Sequence, residues 1–89
     1  MKDELDVAEL VAREFFFKRL IGFYLDEWMP GDNLIRTIEG LFPTMSKLLI
    51  EQLVAKLETD KSRLNGSRDK YIDKMWATFT VKGKLLAHN

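Results

Sequence analysis

Phe15-Phe16-Phe17-Lys18-Arg19-Leu20-Ile21-Gly22-Phe23-Tyr24-Leu25-Asp26-Glu27-Trp28-Met29 is the stretch on which the fold of this chain turns. It holds one glycine and no proline, so nothing inside it breaks a helix. Pro30-Gly31 follows at once and stops it. Wound at 3.6 residues per turn, its apolar side chains point in nearly every direction. A surface helix keeps one polar face, whereas a helix apolar around most of its girth is covered on several sides. The stretch therefore predicts a long helix at the centre of a small all-α bundle.

Upstream, Asp3 is placed to cap this helix, and Glu4, Asp6 and Glu9 suit the positive end of its dipole. Glu9 with Arg13, and Glu14 with Lys18, stand four apart in the favourable order. The predicted first helix runs from about Asp3 to Met29. Lys18, Arg19, Asp26 and Glu27 interrupt it too often for a membrane span.

Downstream, Asp32 or Asn33 is expected to cap a short helix, Leu34 to Leu41, which Phe42-Pro43 ends. A third helix is expected from Thr44 to Leu57 or on to Leu64, with Ile50, Leu53, Leu57 and Leu64 as its inner stripe and Leu49 and Val54 beside it. Asn65-Gly66-Ser67 reads as a turn, with Ser67 capping a fourth helix through about Ala77. Tyr71, Ile72, Met75 and Trp76 are its apolar positions. The β-branched and aromatic run Thr78-Phe79-Thr80-Val81 suits either a short strand near 78–81 or more helix. With no repeat, linker or low-complexity tract, residues 1–89 read as one domain of about four helices.

Charge is balanced overall but not along the chain. Residues 1–59 carry seven Lys/Arg against eleven Asp/Glu, and residues 60–89 carry seven against three. A two-signed molecule can pair head to tail or offer its basic end to an acidic partner. The acidic, apolar-poor start is unlike a signal peptide, so a cytoplasmic protein is expected.

The chemistry-bearing residues are sparse. There is no cysteine, which removes disulfides and thiolate metal sites. His88, next to the last residue, is the only histidine and a poor base for a nucleophile. Asp60–Tyr71 fails as a calcium loop, with its glycine at the seventh position and Tyr71 where a bidentate Glu belongs. The five glycines are isolated and match no phosphate-binding loop. Asp26 and Glu27 are helix neighbours and cannot face one reacting centre. The expectation is a non-enzyme with no metal and no cofactor.

Two binding readings remain. The first is a regulatory or adaptor module that binds protein through Phe15–Met29, as a self-associated homodimer or in a hetero-complex with another protein. Six of the ten aromatic residues fall between Phe15 and Trp28, and interface centres favour such side chains. Three consecutive phenylalanines cannot all face inward, so a partner face is expected among Phe15, Phe16, Phe17, Leu20, Phe23, Tyr24 and Trp28. The alternative is a nucleic-acid-binding regulator of helix-turn-helix type, built from residues 34–57 and the basic segment 61–84. Thr44, Ser46 and Lys47 would open its recognition helix. Lys61, Arg63, Arg68, Lys70 and Lys74 would grip phosphates. Residues 79–86, Phe-Thr-Val-Lys-Gly-Lys-Leu-Leu, resemble over this short length the segment after the wing in winged-helix regulators. A neutral chain is unlike most dedicated DNA binders, which are basic. A small-molecule pocket among Phe17, Phe23, Trp28 and Trp76 is a third, more distant reading.

Overall fold

The computed structural model describes residues 2–64 and 66–83, with side chains at 8–64 and 66–80. His88, Lys84 and the end of the wing-like segment lie outside the described residues, as does the side chain of Asp3. Four helices are described: α1 (Lys2–Leu25), α2 (Gly31–Leu41), α3 (Lys47–Asp60) and α4 (Arg68–Gly83). A single 3-10 turn, Lys61–Arg63, extends α3. The all-α expectation holds, and residues 78–81 are helix. Thr80 shows how a β-branched residue is accommodated there: its buried hydroxyl donates to the carbonyls of Trp76 (3.0 Å) and Ala77 (3.1 Å).

The helices form a ring of neighbours in which α1 packs on α2 and α4, and α3 packs on the same two. Their inner sides meet in one apolar core. Helix α1 supplies Phe17, Ile21 and Tyr24, three and four apart and thus on one side. Helix α2 supplies Leu34 and Ile38, and Phe42 just past its end is 1% exposed. Ile50, Leu53, Val54 and Leu57 come from α3, and Ile72, Met75 and Phe79 from α4. Leu64, placed on the inner stripe from its spacing, is only half-buried because the 3-10 turn breaks the α3 periodicity before it.

Helix α4 runs on to Gly83, past the expected end at about Ala77, and three other element ends differ from the sequence reading, each for a local reason. Helix α1 stops at Leu25, four residues early. Glu27 turns into the left-handed region, with φ of 64°. Its N–H donates to the Tyr24 carbonyl (3.0 Å) and the Trp28 N–H to the Phe23 carbonyl (2.8 Å). This pair of bonds is a Schellman termination, here with glutamate where glycine is usual. Helix α2 begins at Gly31 behind Pro30, so Asp32 sits in its first turn rather than at its cap. Helix α3 begins at Lys47 rather than Thr44, because Ser46 is the residue whose hydroxyl accepts the Leu49 N–H (3.3 Å).

Candidate functional site

Three adjacent phenylalanines separate on α1. Phe17 is fully buried, while Phe15 is 57% and Phe16 51% exposed. Successive helical residues point about 100° apart, so a core on the Phe17 side must leave the other two elsewhere. At 1.5 Å per residue α1 is about 36 Å long and α2 about 16 Å, so α2 covers only part of its flank.

Phe15, Phe16, Leu20, Phe23 and Trp28 come together from the predicted set. The rings of Phe15 and Phe16 meet edge to face at 5.6 Å. Phe23 and Trp28 stack at 5.8 Å, 10° from parallel. Arg19 joins the pairs, its guanidinium carbon 5.8 Å from the Phe15 ring centre and 5.3 Å from that of Phe23. The result is a continuous ribbon of apolar surface crossed by one cation. Leu20 and Phe23 are half-buried along it, and Val11 and Ala12 extend it upstream as exposed residues. Between α1 and α2 the ribbon dips into a shallow groove of about 350 Å³, lined by Phe16, Arg19, Leu20, Phe23, Thr37 and Leu41.

Phe17 and Tyr24, expected on this face, are corrected to core residues. Phe17 packs against Trp76 (5.1 Å), Phe79 (5.0 Å) and Phe42 (6.4 Å). Tyr24 is 5% exposed, and its hydroxyl donates to the Glu58 carboxylate of α3. Burial, and that carboxylate, push the Tyr24 phenol up to about 12. The Tyr24 bond and the nearby Lys61 ammonium hold the Glu58 carboxyl below the usual range. The two positions fail as partner contacts because they lie on the α1 side that faces α2, α3 and α4. The proposed apolar pocket also separates: Phe17 and Trp76 are in the core cluster, and Phe23 and Trp28 are on the outer ribbon.

Three members of the nucleic-acid reading's set, Ser46, Lys61 and Arg68, are engaged within the fold. Ser46 is occupied as the α3 cap. Arg68 bridges α4 to α1 by donating to the Asp26 carboxylate (2.7 Å) and the Gly22 carbonyl (2.8 Å). Its hydrogen bond and charge hold Asp26 below the usual carboxylate range. The Lys61 ammonium lies 5.0 Å from the Tyr24 ring centre and 3.6 Å from Glu58. Thr44, Lys47, Arg63, Lys70 and Lys74 are exposed, but the solvent face of α3 also carries Glu51 and Glu58. Those acids would meet phosphate in any docking through α3.

A second groove, of about 570 Å³, lies behind Trp28 between the α1 end, α2 and α3. Glu27, Asp32, Glu58 and Lys61 line it beside Met29, Pro30 and Ile35. Among the described residues, no three or more His, Cys, Asp or Glu side chains are placed to hold a metal ion. No described helix is long and apolar enough to cross a membrane. The spacing of the first helix signalled the ribbon, but Arg19 and Leu41 were missed as parts of it. Leu41 joins only through α2 packing, which no local pattern reports. No protein-family model matches the chain, and no curated protein or solved structure is detectably similar to it.

Proposed function

We propose that this chain is a cytoplasmic helical interaction module with a regulatory or adaptor role, acting by binding protein through the outer ribbon of α1 rather than by chemistry. One observation carries the reading: Phe15, Phe16 and Trp28 stand 57%, 51% and 76% exposed on a single ribbon. Scattered single apolar residues on a surface need no explanation, but contiguous aromatic ones mark interaction sites. Aromatic anchors beside an arginine are also the side chains that dominate measured interface energetics. The adjoining groove offers a recess for one side chain of a partner.

The reading is tested by affinity capture with the full chain and two variants as baits. Phe16→Asp places a charge in the ribbon, and Leu48→Asp places one on α3, where Leu48 is 62% exposed. Proteins, or further copies of the chain itself, held by the native chain and Leu48→Asp but lost with Phe16→Asp support it. A bound set indifferent to Phe16 removes it. Among the described residues, the nucleic-acid reading has the exposed Thr44, Lys47, Arg63, Lys70 and Lys74 in its favour. Salt-sensitive binding of random duplex DNA, weakened by Lys70→Glu with Lys74→Glu, would restore it.

A further inference from the structure

We infer that the occupant of the α1 ribbon is a second copy of this chain, paired with its α1 antiparallel to the first. This rests on the reading of the ribbon as a protein-binding face, and it names the partner.

Size is the first argument. Aromatic side chains each bury about 150–250 Å², so the exposed parts of Phe15, Phe16 and Trp28 amount to about 400 Å². Two copies together remove about 800 Å², and Ala12, Arg19 and Phe23 carry the pair past the ~1,000 Å² of a specific interface. Charge is the second. The chain is formally neutral, so copies approach without long-range repulsion. The acids flanking the ribbon, Glu9 and Asp26, are already paired, with Arg13 at 2.8 Å and Arg68 at 2.7 Å. Neither acid therefore calls for a basic partner, and the charge that the ribbon itself presents is Arg19.

Shape supplies the third argument and the direction. A parallel two-fold pair sets Arg19 against its own copy, like charge on like. An antiparallel pair with its axis between Phe16 and Arg19 instead offsets the two arginines by about 4.5 Å along the helices, three residues at 1.5 Å each. It lays each Arg19 over the partner's Phe16 ring and each Phe23 over the partner's Ala12, cation on ring and large on small. Exposed Ala12 leaves room for such a close approach.

Sedimentation velocity on the full chain, from about 1 to about 200 µM, tests the pairing, a range suited to the weak end of specific interfaces at which one of ~1,000 Å² stands. The expected result is a dimer that Phe16→Asp weakens roughly 30-fold or more, as loss of an interface anchor does, with far-UV circular dichroism unchanged. Arg19→Glu, on the same ribbon, serves if Phe16→Asp disturbs folding. The chain has no cysteine of its own. Ala12→Cys chains mixed with Phe23→Cys chains are expected to form a covalent dimer under mild oxidation, and Ala12→Cys alone is not. A native chain that stays monomeric at the highest concentration overturns the self-pairing, and crosslinking of Ala12→Cys by itself overturns its antiparallel direction. A monomer that still captures a Phe16-dependent protein leaves the binding role intact and replaces the occupant. A monomer with no such protein removes both.

Discussion

Phe17, Phe42, Trp76 and Phe79 form one aromatic cluster of this molecule, and Phe15, Phe16, Phe23 and Trp28 form another. Both draw on the same turn of α1, and their compositions are nearly the same. The first is assembled from α1, the end of α2 and α4, elements far apart in sequence, with ring centres 5.0–6.4 Å apart. The second is local: every ring comes from one helix or its termination, and Arg19 serves as the mortar. Long-range closure removes rings from water, whereas a local cluster leaves one side wet. That contrast assigns stability to the first cluster and leaves the second open for the binding role proposed for it.

The sharpest way to break the comparison is to delete neighbouring rings. Phe17→Ala is expected to cost about 3–5 kcal/mol, the usual penalty for removing a fully buried aromatic ring. Phe16→Ala, one residue away, is expected to change monomer stability by about 0.5 kcal/mol or less, as at exposed sites. Urea denaturation of both at a concentration where the chain is monomeric gives the two values. Near-equal costs would mean that the outer ribbon is part of the core.

Much of this division was legible in the sequence, and its limits have physical causes. Pro30-Gly31, Phe42-Pro43 and Asn65-Gly66-Ser67 separate the four helices because proline and glycine act locally on the backbone. The 100° step between helical neighbours guarantees that Phe15, Phe16 and Phe17 diverge. Which of them turns inward depends on where α2 and α4 dock, and no window of α1 contains that information. Phe42 shows the same limit: it reads as a helix breaker, yet its ring sits at the middle of the core. The early end of α1 was invisible for a different reason, since glutamate carries no signal for the left-handed conformation that Glu27 adopts.

Alkaline pH tests the boundary between the two sides of α1, with a smaller effect than ring deletion. Tyr24 is the inner-facing aromatic with a polar tip, and its phenol is raised to about 12, chiefly by burial. The folded state then holds this proton more tightly than an unfolded chain, whose tyrosine titrates near 10. Stability from this source is complete below about pH 10 and is lost as pH rises from about 10 to about 12. Tyr24→Phe should flatten that decline. In Tyr71→Phe, which leaves Tyr24 as the one tyrosine, absorbance at 295 nm should show Tyr24 ionising together with unfolding, whereas early ionisation in a folded chain would place this residue at the surface.

The smallest expected effect addresses the end of the outer ribbon. Trp28 lies on Phe23 because the Schellman turn brings its C″ residue back over the helix, and apolar contact there commonly accompanies the motif. The turn holds Glu27 at a φ of 64°, where a Cβ is strained. Glu27→Gly relieves this but adds freedom to the unfolded chain, so a net gain of about 0.5–1 kcal/mol is expected. If the turn alone positions Trp28, its fluorescence should be unchanged in Glu27→Gly while the melting temperature rises. A loss of stability would show that the Glu27 carboxylate makes a contact worth more than the strain it imposes. The ribbon would then be held at this end by its side chain and not by its backbone.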